Sequence, residues 1–196
     1  LDAGQVVSEV FTVATSDGSS ATVTVTLNGT NDIATLTSAT VALTESNVVL
    51  ATSGTLVLSD LDATAATVVA QSNTAGAYGT FSIDAAGAWT YTTGSAQDQL
   101  DAGQVVTENF TVATSDGGFA TVTVTLTGTN DSATVSSADV TLVETNAALT
   151  TSGTLTSTDI DNVSNAFTAN TIVGTTGTFA IDAAGAWTFT ANSAFD

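Results

Sequence analysis

Hydrophobic and polar residues alternate with period two along most of this chain, the pattern of strands that bury one face. Thr40–Thr44 (TVALT) puts Val41 and Leu43 on one side, and Gly54–Ser59 (GTLVLS) reads as a second strand. Thr67–Gln71 is a weaker third. In GTFSIDAAGAWTYT, Phe81 and Ile83 share a face, as do Trp89 and Tyr91, and Asp84–Gly87 is a short turn with glycine for positive φ. Val106–Thr114 and Thr121–Gly128 follow, the latter with Val122, Val124 and Leu126 on one face and threonines on the other. About seven strands, close turn signals and no helical period predict an all-β fold, a two-sheet Greek-key sandwich of the Ig-like type.

The aromatic residues alternate inward and read as core rather than as an exposed carbohydrate platform. Outward threonines suit strand propensity and keep the surface wet. They do not form the long flat array that ice binding needs.

The pattern repeats. Leu100–Asp131 (LDAGQVVTENFTVATSDGGFATVTVTLTGTND) matches Leu1–Asp32 at 27 of 32 positions. Ser16-Asp17-Gly18 returns 99 residues later at Ser115-Asp116-Gly117, and Gly79-Thr80-Phe81 returns 98 later at Gly177-Thr178-Phe179. Glu45 maps to Glu144, Asp60-Leu61-Asp62 to Asp159-Ile160-Asp161, and Trp89 to Trp187. A period near 100 suits a string of whole domains rather than a solenoid. The expected frame is the C-terminal third of one repeat over residues 1–32, a complete repeat over 33–131, and the N-terminal two-thirds of a third over 132–196. Asp98-Gln99-Leu100 shows how Asp196 would join a following Leu1. The chain starts in mid-pattern and is expected to be a piece of something longer. The sharper alternative is that separate subunits complete one another head to tail.

Composition narrows the chemistry. The 196 residues include 19 carboxylates and no Lys, Arg, His, Cys, Met or Pro, so no acid has a cationic side chain to pair with. A hydrophobic share of 43% is too high for an acidic disordered tail. With nothing to displace phosphate counterions, nucleic acid is excluded, and an anionic membrane surface with it. No apolar run approaches a membrane span. Thiolate nucleophiles, imidazole bases, ordinary zinc sites, disulfides and Lys–Asn isopeptide bonds are all ruled out. An acid-pair glycosidase would need carboxylates across a cleft lined by exposed aromatics, which the sequence does not offer. The chain is therefore not read as an enzyme. If the fold is stapled at all, oxygen ligation of a hard cation is the main candidate left.

Nine carboxylates fall in Ile33–Asp131. Asp84, Asp98 and Glu108 read as turn or surface groups. Glu45, Asp60, Asp62, Asp101, Asp116 and Asp131 fall near strand ends or loops, where they can gather at the poles of a sandwich. Two carboxylates 4 Å apart repel by about 1 kcal/mol in water and by several times that when partly desolvated. Gathering them calls for a cation, and Gly128-Thr129-Asn130-Asp131 offers oxygens in a short joint. The other reading is a solvated, solubilising surface.

The order Glu45; Asp60-x-Asp62; Leu100-Asp101-Ala102-Gly103; Ser115-Asp116-Gly117; alternating strand; Gly128-Thr129-Asn130-Asp131 resembles the VCBS repeats of giant bacterial RTX-type adhesins and, more distantly, cadherin domains. The segments YGTFSIDAAGAWTYT and SDGGFATVTVTLTGTND carry most of the likeness, which covers the whole period and both copies. The resemblance implies cadherin-like sandwiches in series with Ca²⁺ at their joints. The joint after Asp131 would use Glu45 and Asp101, then Asn130 and Asp131, then Asp159 and Asp161. The joint after Asp32 would use Asp2, Asn31, Asp32, Asp60, Asp62 and Asp116, and Glu144 is the counterpart of Glu45 in the third repeat. Where cadherins carry Asp-Arg-Glu, this chain has Asp101-Ala102-Gly103, and its linker is poorer in acids, so fewer ions per joint are expected. The implied function is a structural extender of a secreted, cell-surface adhesin or biofilm matrix fibre, stiffened by calcium. Its partners would be neighbouring repeats of the same chain and identical chains in a fibre. A self-assembling filament or surface-layer subunit with lateral or head-to-tail contacts is the rival.

Overall fold

The computed structural model describes residues 1–62, 66–162 and 165–193. The expected junction residue Asp196 lies outside them. Among the described residues every regular element is a strand. The chain forms two compact units, Leu1–Gln97 with Val105–Thr127, and Asp98–Gln104 with Gly128–Asp196.

The first unit carries β1 (Val6–Ala14), β2 (Ser20–Asn28), β3 (Thr35–Leu36), β4 (Ala39–Thr44), β5 (Ala51–Thr55), β6 (Leu58–Ser59), β7 (Gln71–Ala75), β8 (Gly79–Ile83), β9 (Ala88–Thr93), β10 (Val105–Ala113) and β11 (Phe119–Thr127). Two sheets face each other, in the orders β5-β9-β8-β7 and β10-β11-β4. The second includes a parallel pair, β11 with β4, in the register Val122 to Ala39 through Thr127 to Thr44. β3 and β6 form a small third ladder.

The core lies between the sheets. Phe81, Ile83, Trp89 and Tyr91 project from one, and Phe110, Val112, Ala120, Val122 and Val124 from the other, with Leu56 and Val68 between. Phe110 stacks on Phe81 at 4.8 Å between centroids and tilts against Tyr91 at 5.8 Å. This is the inward aromatic cluster that the alternation predicts.

Turn chemistry sets the registers. Asp84 Oδ1 accepts the Ala86 and Ala88 N–H groups, both at 2.9 Å, and Gly87 adopts φ 88°. That closes β8 onto β9 so that Phe81 pairs with Tyr91 and Ile83 with Trp89.

The structure corrects two strand expectations. Gly54–Ser59 is not one strand. β5 ends at Thr55, buried Leu56 donates its N–H to Gly87 O at 2.9 Å, and the chain crosses to pair β6 with β3. A single straight strand could not bury Leu56 between the sheets and also reach β3. The weaker strand at Thr67–Gln71 is likewise displaced. Val68 forms one bridge with Thr114, and the continuous strand begins at Gln71, paired with β8 in the other sheet. Burial of Val68 matters more to this segment than β propensity.

In the second unit, β12 (Thr134–Val135) pairs with β14 (Ser157–Thr158), and β13 (Thr150–Thr154), β15 (Asn170–Val173), β16 (Gly177–Ile181) and β17 (Ala186–Ala191) form a sheet in the order β13-β17-β16-β15. The β13-β17-β16 registers repeat those of β5-β9-β8, with Gly153 opposite Trp187 as Gly54 is opposite Trp89, whereas the register shift between Gln71 and Thr74 in β7 is absent from β15.

Candidate metal site

Each acidic joint begins with a turn locked onto a linker. In Leu100-Asp101-Ala102-Gly103, Asp101 O accepts the Gln104 N–H at 2.8 Å, and Gly103 adopts φ 79° and donates to Gly128 O at 2.9 Å. Gly128 in turn donates to Gln104 O at 2.9 Å, and a Cβ on it would run into the Leu100 and Asp101 carbonyls. The backbone of the Asp101 turn is therefore fixed beside the linker by main-chain hydrogen bonds, not by ion pairing. The first copy repeats the lock, with Gly29 N–H on Gln5 O at 2.7 Å and Gly4 N–H on Gly29 O at 3.3 Å, which places half-buried Asp2 beside its own linker.

In the second unit the lock opens into a polar cleft of about 260 Å³ lined by Asp101, Ala102, Asn130, Asp161 and Asn162. Asp131 donates its backbone N–H to Asp161 Oδ2 at 3.1 Å, and Asn130 Nδ2 donates to Asp131 O at 2.5 Å. Asp131 and Asp161 are both buried. Asp159 Oδ2 accepts from Asn165 Nδ2 at 3.1 Å, while Asp159 Oδ1 and Asp161 Oδ1 are buried oxygens with no hydrogen-bond donor against them. The Asp159 and Asp161 carboxyls press on each other. Hydrogen bonding to Asp161 raises the pKa of Asp159, with burial and the neighbouring charge adding to the shift. The same contact lowers Asp161, helped by the Asp131 N–H.

Asp98 also belongs here, contrary to its reading as a turn or surface group. Its Oδ1 is buried with no donor against it, and one of its carboxylate oxygens lies within 4.8 Å of one from Asp131. Two such charges repel by about 1 kcal/mol even in water. The donor set of this unit is all oxygen, from carboxylates and an amide, which fits a hard divalent cation and no soft one.

In the first unit the corresponding residues again meet. Asp32 donates its N–H to Asp62 Oδ2 at 2.8 Å, and Asp60 accepts from Asp62 N at 3.1 Å and Ala66 N at 2.8 Å. Asn31 Nδ2 donates to Asp32 O at 3.0 Å. Asp116 accepts from the Thr114 hydroxyl and the Ala34 N–H, both at 2.5 Å, and those bonds hold its pKa below the ordinary carboxylate value. Asp116 thereby ties the tip of β10–β11 to the segment after the linker, next to Asp32. Glu45 is buried in this unit with Oε1 accepting the Asn47 N–H at 2.5 Å. Glu144 is exposed on irregular backbone in the other.

The sequence reads Glu108 too as a turn or surface group, and the structure buries it. Its carboxylate accepts the Tyr78 N–H, and desolvation raises its pKa against that bond and one from Gly79. Tyr91, beside it, is pushed up to about 12 by burial and by the Glu108 charge. The signal was present in the sequence: Glu108 shares the inward parity of Phe110 and Val112.

Two comparisons bear on this geometry. The family described as bacterial cadherin-like domain matches residues 31–129, half of the chain. Among curated proteins no match was found.

Proposed function

This chain belongs to the bacterial cadherin-like domain family, a class of structural, adhesion-type extracellular domains, and from that premise we propose that it is a calcium-stiffened extender. On this reading its repeats are of the VCBS type found in RTX-type surface adhesins. They are strung in series to hold a binding module away from a bacterial cell, in adhesion or in a biofilm matrix. The observation that carries the proposal is the cleft of Asp101, Asn130 and Asp161, backed by buried Asp159 and Asp161 oxygens that no donor reaches. Burying carboxylate oxygens without donors is costly unless a cation takes them. Ca²⁺ takes six to eight oxygens. Asp98, Asp101, Asn130, Asp131, Asp159 and Asp161 supply that number without Glu45, which the sequence assigns to the same joint. Neutralising these charges would convert a self-repelling joint into a fixed one, so calcium outside the cell would stiffen the string.

The experiment is a thermal melt of the whole chain in millimolar calcium and again in excess chelator. A ligand that binds only the folded state raises stability by about 2.7 kcal/mol at a hundredfold excess over its Kd. A higher melting temperature in calcium, reduced in Asp161→Ala, is the expected result. Superimposable melts would leave these acids as surface charge and remove the reading.

A further inference from the structure

One buried acid lies away from the acidic joints. β7 and β10 are edge strands of the two facing sheets, and side chains tie the sandwich shut between them. Gln71 Nε2 donates to Thr111 O at 2.8 Å, and Glu108 Oε1 accepts the Tyr78 N–H from the turn between β7 and β8. Glu108 is 7% exposed, and its other oxygen, Oε2, is buried with no hydrogen-bond partner. The Tyr91 hydroxyl is buried and has none either. Two glycines of the turn lie against these oxygens. A Cβ on Gly76 would run into Glu108 Oε2, and one on Gly79 would come within 2.6 Å of the Tyr91 hydroxyl. A groove of about 320 Å³ adjoins them, lined by residues that include Gln71, Thr74, Gly76, Glu108 and Thr111.

We propose that the turn at residues 76–79 is a proton-operated latch on this side of the sandwich, closed over the neutral Glu108 carboxyl and swung open to admit water to the carboxylate. A buried carboxylate without a cation is far more costly than a buried neutral carboxyl. Nothing on the surrounding elements offsets the charge. The titratable side chains here are phenols: Tyr91, which acts on Glu108 from β9 and is kept protonated by the same burial, and Tyr78 in the turn itself. β11 presents Val124 opposite Glu108, and the chain has no Lys, Arg or His. The Tyr78 and Gly79 N–H groups favour the charged form, and burial outweighs them. The least costly relief is local. The turn is closed by Gly76 N–H on Gly79 O at 2.7 Å and held by Gly94 N–H and Gln97 Nε2 on Tyr78 O, at 2.8 and 3.1 Å. Glycine at its first and last positions lets it move with little backbone strain. Opening is least below pH 4.5, where both states are protonated. It grows as pH rises through the raised folded value and is constant above it.

The test is amide exchange of the Leu1–Asp196 chain across this pH range, with the Glu108 titration followed by carboxyl-carbon NMR. It is run in chelator and is independent of the calcium reading. Protection of the Tyr78 N–H should fall by about tenfold for each unit by which the Glu108 titration exceeds that of an exposed glutamate. That exchange should be indifferent to low urea, while core amides such as Val122 respond to it. Glu108→Gln keeps the shape and the acceptor and should hold the Tyr78 N–H protected throughout. Gln71→Ala loosens the same side without removing the acid and should retain the pH step. Tyr78 protection that stays constant through the Glu108 titration, or the same step in Glu108→Gln, overturns the proposal. So does Tyr78 exchange that follows urea as the core amides do, since the turn would then open only when the whole fold does.

Discussion

Asp131 reaches Asp161 through its backbone, N–H to Oδ2 at 3.1 Å, and Asp32 reaches Asp62 in the same way at 2.8 Å. Each link joins a linker residue to an acid 30 positions on, inside a single unit. In the second unit a carboxylate oxygen of Asp131 also lies within 4.8 Å of one from Asp98.

Calcium binding should be proton-sensitive at unusually mild acidity. Asp159 holds a proton to a higher pH than an ordinary carboxylate does, because Asp161 accepts a hydrogen bond from its protonated form. Metal must displace that proton. Affinity measured by calorimetry should therefore be full above the raised Asp159 pKa and fall as pH drops through it. Asp161→Asn should weaken binding at neutral pH. An affinity unchanged on approach to the ordinary carboxylate range would contradict the raised Asp159 pKa.

Glu108 predicts an opposite trend in stability. Burial raises its folded pKa above the ordinary 4.5, so the folded state binds the proton more tightly than the unfolded. Its contribution is fully present below 4.5 and is lost as pH rises through the folded value. Glu108→Gln keeps an acceptor for the Tyr78 N–H and removes the titration. Chemical denaturation across this window should show a flatter profile for the variant, with greater relative stability at neutral pH.

The two hairpins allow an internal control on packing. Phe110→Ala removes a ring stacked in the sealed core and should cost about 3–5 kcal/mol. Phe11→Ala, at the same position of the exposed copy, should change the stability of dilute monomer by no more than about 0.5 kcal/mol. Denaturant melts of the two variants at low concentration make the comparison. Equal costs would mean that β1–β2 is packed in solution.

Gly87 and Gly117 both have positive φ, 88° and 100°, but only Gly87 faces an obstacle, the Leu56 carbonyl. Gly117→Ala should cost about 1–2 kcal/mol from the left-handed backbone alone. Gly87→Ala adds a backbone clash and should cost more, with a lower melting temperature than Gly117→Ala.

Period and parity were legible in the residues. Alternation assigned Phe81, Ile83, Trp89, Tyr91, Val122, Val124 and Leu126 to the core, and the self-match paired Asp60-x-Asp62 with Asp159-x-Asp161, because a strand's side-chain period is two and a repeated domain repeats its loops. The lack of any cationic side chain limited what could compensate the acids. Only the tertiary structure decided the rest. It chose where the chain changes sheets at Leu56 and at Val68, since burial between layers competes with strand continuity and depends on residues far away. It turned Glu108 inward and brought Asp98 to Asp131, because a carboxylate's surroundings are set by what folds over it.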